Sequence, residues 1–264
     1  MISLYFDLLV AQIKGQTSYK MSFVIEIIGY FVAYNINLIV IYFIFLKFPT
    51  IRGWTMAEIY YIAGLASISY SVAQTLAEGI NRVPELIFNG EFDRFLVRPR
   101  SIIIQILPLS FRLFRISLLI NGTIGICIAF SMLQLNLLHY RIIFFIISVI
   151  SSTIVYFGIY LTGAAFCFWT IQGTELINAF SHGGYELNRY PITVYHKWMQ
   201  KLFLYIIPIG FVSYYPNLAF LGKQDPLGGS IWFSFLSPIV AISFLFFTLL
   251  FWKLGLNRYQ STGS

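Results

Sequence analysis

A stripe of small and polar side chains runs along one face of an apolar segment near residue 70, and it is the pattern in this sequence best suited to meeting a ligand. Its members recur at offsets of 0, 3, 7, 11, 14 and 18, which predict a single helical face: Tyr60, Ala63, Ser67, Ser71, Gln74 and Glu78. Polar groups left unpaired in an apolar environment are costly, so this face must meet protein or water. Two interpretations stay open. The stripe borders a pathway, or its small residues let two helices pack closely while Glu78 pairs with Arg82 one turn on.

The preceding apolar segment carries a shorter stripe of Tyr30, Tyr34 and Asn37. Aromatic lining suits an amphipathic ligand, although tyrosines in such segments also serve packing and interface anchoring. Arg112 and Arg115 begin a later segment, where they either attract an anionic headgroup or anchor the chain at an interface. The candidate pathway residues are therefore Tyr30, Tyr34, Ser67, Ser71, Gln74 and Glu78.

The sequence contains none of the arrangements that an enzyme would need. There is no G-x-x-x-x-G-K-[ST] phosphate loop, and no Ser or Cys lies in a nucleophile motif. His139, His182 and His196 lack metal-ligand spacing, which favours ordinary loop histidines for the last two. Cys127 and Cys167 both fall in apolar segments, as packing residues do. We therefore predict no catalytic site, metal or cofactor in this chain, so that any ATP chemistry belongs to another chain.

Composition assigns the chain to the membrane. Of its 264 residues, 58% are hydrophobic and only 10% are charged, whereas soluble domains carry roughly 25% charged residues. The apolar residues form blocks near bilayer length, an arrangement that satisfies backbone hydrogen bonds in lipid by forming helices. The net charge of +7 is concentrated at the ends of these blocks, which indicates membrane orientation and not a nucleic-acid partner. We predict an all-α, polytopic membrane protein with one domain over residues 1–264.

Six stretches each have room for a helix of about 20 residues: 27–46, 59–77, 116–138, 142–174, 202–222 and 228–252. Lys and Arg divide thirteen to four between the two sets of connections. This bias places both termini and the loops 79–107 and 175–200 in the cytoplasm. Pro208 and Pro216 predict a kinked or broken fifth span. Residues 1–20 are expected to form an interfacial helix, with an apolar side made of Ile2, Tyr5, Phe6, Leu9 and Ile13.

The first predicted cytoplasmic loop, residues 82–100, reads RVPELIFNGEFDRFLVRPR. Pro84 suits a first helical position, Glu85 suits the positive end of a helix and Gly90 can end it, so we predict a short helix. The loop also carries more apolar side chains than a solvated segment tolerates: Leu86, Phe88, Phe92, Phe95 and Leu96. Either these groups lie against lipid headgroups, with the arginines as topology markers, or another protein covers them.

This loop resembles the one between the second and third helices of ABC-2-type permeases, in the subgroup of small six-helix ABC-2 family transporter proteins. The shared order is a glycine, an acidic residue, a leucine and a proline, here Gly90, Asp93, Leu96 and Pro99. A second similarity is Tyr190-Pro191 ahead of Tyr195, followed by Pro208 and Pro216. Length, span number and loop sizes extend the resemblance over nearly the whole chain.

The resemblance implies a permease that works with a second permease half, identical or related, and with a cytoplasmic ABC ATPase dimer that holds ATP and Mg. Such proteins are usually exporters, and a bacterial plasma membrane is the expected location. The resemblance places Glu85, Gly90, Asp93, Arg94 and Pro99 at a coupling helix that rests on the ATPase.

The substrate is left open, with drugs, peptides and lipid-linked molecules all compatible. Two other functions fit the sequence. One is a membrane adaptor, in which the polar stripe only holds helices together. The other is a lipid-modifying enzyme, for which only Glu26 and Glu78 offer acid groups in the membrane.

Overall fold

The computed structural model of the protein describes residues 10, 12–16, 20–134, 139–170 and 173–260. This part of the chain is helical and contains no β-strand, only an isolated bridge between Ile51 and Trp54. Its α-helices in chain order are α1 (Lys20–Lys47), α2 (Met56–Ala77), α3 (Val83–Phe88), α4 (Asp93–Leu96), α5 (Ile102–Ile106), α6 (Arg115–Leu133), α7 (His139–Phe166), α8 (Gly173–Asn188), α9 (Lys197–Lys201), α10 (Ile209–Leu221) and α11 (Trp232–Leu256). The predicted all-α class is confirmed for the described residues.

Four of the described helices are long and apolar enough to cross a membrane: Lys20–Lys47, Arg115–Leu133, Tyr140–Phe166 and Trp232–Leu256. A fifth candidate is a helix pair, Lys197–Ile206 and Ile209–Leu221, which bends by 95° at its break. The chain is thus a multi-pass membrane protein.

The central helix of the bundle is α2, which is not among the four apolar candidates although it has 22 residues. It packs against α6, α7, α1, α8 and α10, and most of its side chains are buried. Because protein rather than lipid surrounds it, α2 can carry serines and a glutamine inside the bundle. Its first turn is fixed by a capping box, in which Thr55 and Glu58 exchange side-chain-to-backbone hydrogen bonds.

Glycines bring α2 and α6 into close approach. A Cβ atom added at Gly64 would lie 2.7 Å from the carbonyl oxygen of Gly122, and one added at Gly122 would lie 2.7 Å from that of Gly64. The two backbones touch where neither residue has a side chain, which is the packing that small residues permit in membrane helices.

The segment 175–200, predicted as a cytoplasmic loop, is helical over much of its length. Residues Gly173–Asn188 form α8, which packs against α7, α2 and α10. The segment after α8 then meets the connection before α2, since Arg52 Nη1 donates to Thr193 O at 2.7 Å and Trp54 Nε1 donates to Thr193 Oγ1 at 3.0 Å. Residue 193 and residues 52–54 therefore lie at the same end of the bundle. The charge bias had predicted that they lie on opposite sides of the membrane.

The predicted fifth span at 202–222 is also corrected, because the segment from 193 to 223 begins and ends at one end of the bundle. Thr193 lies against Trp54, and Lys223 Nζ lies 2.7 Å from the carboxylate of Glu58. Between them the chain forms α9, a π-helical stretch at Leu202–Ile206, and α10. Pro208 stands immediately before α10, at the predicted break, whereas Pro216 lies within α10 without ending it.

The expected interfacial helix at 1–20 falls largely outside the described residues, and its apolar side at Ile2, Tyr5, Phe6 and Leu9 lies entirely outside them. Residues 12–16 are helical. Gln12 Nε2 donates to Leu109 O at 3.2 Å, and Gln16 Oε1 accepts from the backbone of Leu113 at 3.0 Å. This short helical segment therefore lies against the chain that leads into α6.

Candidate functional site

The predicted polar stripe of α2 is buried and hydrogen-bonded within the subunit. Ser67 Oγ donates to Ala63 O and lies 3.1 Å from the hydroxyl of Tyr185 on α8. Ser71 Oγ donates to Arg115 O at 2.9 Å, at the start of α6. Gln74 is buried, and its Oε1 has no hydrogen-bond partner among the described residues. The stripe thus contacts α6 and α8, and Gln74 alone keeps an unused polar atom.

Glu78 forms an ion-pair cluster at the end of α2. Its carboxylate lies 2.7 Å from Arg115 Nη2 and 3.2 Å from Arg112 Nε. The expected partner one turn on, Arg82, instead pairs with Glu85 at 3.3 Å. The side chains of Glu78 and Arg115 are only 6% and 13% exposed, so this pair is largely shielded from water. α6 accounts for the buried position of Glu78, because its first turn supplies the partner Arg115. Hydropathy alone could not predict that α6 lies beside Glu78.

Tyr30 and Tyr34 extend this cluster onto α1. The ring of Tyr30 stacks on Phe114 with centroids 4.1 Å apart, and Tyr34 follows at 6.0 Å from Tyr30. The guanidinium of Arg115 lies 4.8 Å from the Phe114 ring, a cation–π contact. Tyr30, Ser71 and Glu78 of the predicted pathway therefore meet around Phe114 and Arg115. For Arg115 the sequence had left open an anionic headgroup or an interface anchor.

A second polar stripe lies on α8, and the sequence analysis missed it. Glu175, Asn178, His182 and Glu186 recur at offsets of 0, 3, 7 and 11, so they share one helical face. The first three are exposed and Glu186 is half-buried. The same offsets were visible in the sequence, but they fell in a segment interpreted as a loop.

Aromatic contacts fix this stripe of α8 beside that of α2. Tyr185 stacks on Tyr70 of α2 with centroids 4.6 Å apart, and the imidazole of His182 lies 6.1 Å from the Tyr185 ring. The carboxylate of Glu186 pairs with Nη1 of the buried Arg189 at 2.6 Å. We use the name polar cleft for this group of residues on α1, α2 and α8, in which Ser67 and Gln74 are buried, Tyr34 and Glu186 are half-buried and His182 is exposed.

The predicted coupling segment, residues 82–100, folds against the membrane helices. It contains α3 and α4, joined through Gly90, whose φ of 69° lies in the left-handed region that favours glycine. Phe92 is buried, with its ring 5.4 Å from Phe168 and 5.0 Å from Tyr259. The short predicted helix exists as α3, with Pro84 in its first turn and Glu85 exposed at its start.

Part of this segment's apolar surface remains uncovered. Leu86, Phe92 and Phe95 are buried within the chain, but Phe88, Leu96 and Val97 are 70%, 43% and 82% exposed. Arg94 pairs with Glu91 at 3.1 Å, and Pro99 is exposed. Glu85, Gly90, Arg94 and Pro99 thus share one short segment with these exposed apolar side chains, which we call the exposed patch, and Asp93 begins α4 within the same segment.

The opposite end of the bundle is closed by a compact polar cluster. Lys223 Nζ lies 2.9 and 2.7 Å from the two carboxylate oxygens of Glu58 and donates to Gly53 O at 2.6 Å. The same ammonium lies 4.3 Å from the ring centroid of Trp54. Tyr214 donates to Asp225 at 2.6 Å. These contacts fasten the segment 193–223 to the start of α2.

The protein is thus a helical membrane bundle. It has polar stripes on two adjoining helices and an exposed apolar patch on a short amphipathic connection. This combination is typical of a transporter permease. Comparison with protein families agrees. The family described as ABC-2 family transporter protein matches residues 31–263, so the chain belongs to that family. No curated protein matches it.

Proposed function

We propose that this chain is the permease subunit of an ATP-driven exporter of an amphipathic or hydrophobic substrate, powered by separate ABC ATPase subunits that bind ATP and Mg. The observation that carries the proposal is the exposed polar face of α8 beside the polar stripe of α2. In an otherwise apolar membrane bundle, Glu175, Asn178 and His182 require a water-filled route or a protein neighbour.

A second permease half, identical or related, supplies the missing wall of that route. The polar cleft is bordered by α1, α2 and α8 of one subunit, and a single bundle of this size leaves it open on one side. Two related halves facing each other enclose such a route symmetrically. The cleft combines hydroxyl, amide and carboxylate groups with the rings of Tyr30 and Tyr34, which suits a substrate with a polar and an apolar part.

The proposed topology keeps six spans but moves the fifth. α1, α2, α6, α7, α8 and α11 cross the bilayer, and the segment 193–223 enters and leaves on one side. At about 1.5 Å per residue, the 16 residues of α8 reach about 24 Å, most of the hydrocarbon thickness. Lipid and a second subunit surround the bundle in the bacterial plasma membrane.

Both termini lie in the cytoplasm in this topology, because the cytoplasmic side still holds more cations. Ten lie inside: Lys14, Lys20, Arg82, Arg94, Arg98, Arg100, Arg112, Arg115, Lys253 and Arg258. Seven lie outside: Lys47, Arg52, Arg141, Arg189, Lys197, Lys201 and Lys223.

The segment 82–100 serves as the coupling element in this proposal. Its buried side chains, such as Phe92, join it rigidly to α7 and to the chain after α11, while Phe88 and Val97 are free to enter a groove on the ATPase. A movement of the ATPase is then transmitted along the chain to α2, and from α2 to α6 through the pair of Glu78 with Arg115.

The decisive test of the partnership is purification of the full-length protein in mild detergent from its own host. An ATP-hydrolysing subunit should co-elute with the wild type. It should no longer co-elute with the Phe88→Asp variant, because a charge on the exposed patch opposes an apolar contact. Ile104→Asp is the matched control, because Ile104 is an exposed apolar residue of α5 outside the segment 82–100. Recovery of the protein without ATPase activity would count against an ATP-driven permease.

A further inference from the structure

A cavity of about 480 Å³ lies at the end of the bundle that carries the connection between α1 and α2. Three stretches of chain line it. Arg52 comes from that connection, residues 193–200 from the segment after α8, and Pro226 and Leu227 from the connection before α11. It is separate from the polar cleft and from the segment 82–100, so neither the proposed route nor the proposed coupling accounts for it.

Cationic groups gather in this cavity without acidic partners. The cationic side chains are those of Arg52 and Lys197, which are exposed and line the cavity beside His196. No acidic residue lines it in the part of the chain that the structure describes. Neither Arg52 nor Lys197 has a carboxylate within ion-pair distance among the described residues. Lys223, close by at the same end, is by contrast neutralised by Glu58.

The backbone of Arg52 adopts an unusual conformation, and a hydrogen bond holds its guanidinium. Its φ of 48° lies in the left-handed region, which is uncommon for a residue other than glycine. The turn is closed by hydrogen bonds between Ile51 and Trp54 in both directions, and Arg52 Nη1 donates to Thr193 O at 2.7 Å. One nitrogen of the guanidinium is used for this contact, and the remaining donors are left for a ligand. Backbone strain of this kind persists where the surroundings impose it, commonly at binding sites.

The remaining walls of the cavity are mainly apolar. Pro226, Leu227 and the ring of Tyr195 supply them. Burial raises the pKa of the Tyr195 phenol well above its ordinary value, so this hydroxyl keeps its proton and can act as a donor. Gln200 Nε2 donates to Tyr195 O at 2.9 Å, which holds the wall in place. A cationic rim beside apolar walls matches a ligand with an anionic head and a hydrocarbon part.

We propose that this cavity binds the anionic headgroup of an amphiphile, with the phosphate or carboxylate between Arg52 and Lys197 and the hydrocarbon part along Tyr195, Pro226 and Leu227. Arg can bind such groups with two parallel hydrogen bonds, and Lys adds a point charge. In the proposed topology the site faces the outer leaflet. The bound amphiphile bridges three separate stretches of chain and so holds the segment 193–223 against the connection before α2.

The test uses the full-length protein in nanodiscs of phosphatidylcholine with a minor fraction of phosphatidylglycerol, and native mass spectrometry counts the lipids retained. The wild type should retain phosphatidylglycerol in preference to phosphatidylcholine. Lys197→Gln and Arg52→Gln should each weaken this retention about tenfold, because each removes a charge-assisted hydrogen bond.

Lys201→Gln is the matched control, since Lys201 ends the same short helix, is exposed and does not line the cavity. Full retention in this variant supports the site, whereas an equal loss from all three variants overturns it in favour of general surface charge. Equal retention of the two lipids by the wild type also overturns it.

Inorganic phosphate added to the same nanodiscs distinguishes the source of the anion. No competition at millimolar phosphate supports an amphiphile, and complete displacement would show a site for free anions and reject the amphiphile. Because the readout is lipid retention, its failure leaves the proposed transport function intact.

Discussion

Glu78 and Arg115 form a 2.7 Å ion pair that joins the last turn of α2 to the first turn of α6. Ser71 adds a hydrogen bond to the backbone of the same arginine. In sequence, Glu78 lies between Gln74 of the polar cleft and the segment 82–100, so in the proposed mechanism the pair passes a displacement of that segment on to α6.

Removal of this pair is expected to destabilise the subunit. Glu78→Gln leaves Arg115 largely buried without its charge partner, and breaking a buried pair in this way costs about 3 kcal/mol. Glu85→Gln, which breaks the exposed pair with Arg82, should cost less than about 1 kcal/mol. Thermal unfolding of both variants in detergent measures the difference. Equal effects of the two variants would show that burial of the Glu78 pair contributes nothing.

The close approach of α2 and α6 predicts a strict requirement for glycine. Gly122→Ala places a methyl group 2.7 Å from the carbonyl oxygen of Gly64 and should destabilise the fold by about 2–3 kcal/mol. Gly29→Ala, on α1 where no atom lies within 4 Å, should be neutral or slightly stabilising. Unfolding midpoints of the two variants, compared with the wild type, measure both effects. A neutral Gly122→Ala would mean that the two helices lie farther apart.

Sequence analysis located most of the helices because a lipid-facing helix must be apolar along its length, as α1, α6, α7 and α11 are. It missed α8 because that helix packs against protein on one face and presents polar groups on the other, so its hydropathy resembles that of a loop. The reversal at Pro208 depends on contacts of Thr193 and Lys223 with residues far away in the chain. Proline alone indicated only that the helix breaks.

In the candidate site, too, features set by neighbouring residues were predictable from the sequence, and features set by contacts between distant residues were not. The stripe of α2 was predictable from spacing, and so was the short helix α3. The helices that cover that stripe could not be predicted, because the contact depends on Tyr185, which lies 118 positions from Ser67 in the sequence. The partner of Glu78 was mistaken for the same reason, because Arg115 is distant in sequence while Arg82 is one turn away.

The proposed topology makes a labelling prediction. Cysteines introduced at His196 and Gln224 should react with a membrane-impermeant thiol reagent from the same side, and a cysteine at Asn81 should react from the other. The background carries substitutions of Cys127 and Cys167. Reaction of the cysteine at position 196 from the side of position 81 would restore the cytoplasmic loop at 175–200 and contradict the contact between Thr193 and Trp54.

The coupling segment predicts a separation of ATP hydrolysis from transport. Gly90→Val forces a side chain into a left-handed backbone conformation, and Asp93→Arg reverses the charge at the start of α4. Both variants should insert normally, yet lose most ATP-dependent transport while the ATPase subunit still hydrolyses ATP. Transport assays in inverted vesicles, normalised to the amount of inserted protein, measure this. Full transport by both variants would remove the segment 82–100 from the coupling role.

The most direct measurement of the central claim is the water accessibility of the polar face of α8. In a protein whose native cysteines have been replaced, His182→Cys should react rapidly with a charged, water-soluble thiol reagent, because the polar cleft borders an aqueous route. Phe180→Cys is the matched control on the same helix, as its exposed side chain lines an apolar cavity with Ile159 and Phe244 and should stay unreactive. Binding of ATP to the assembled transporter should change the rate at position 182 and leave position 180 unaffected. Equal protection of both positions, with and without ATP, would contradict a transport route along α8.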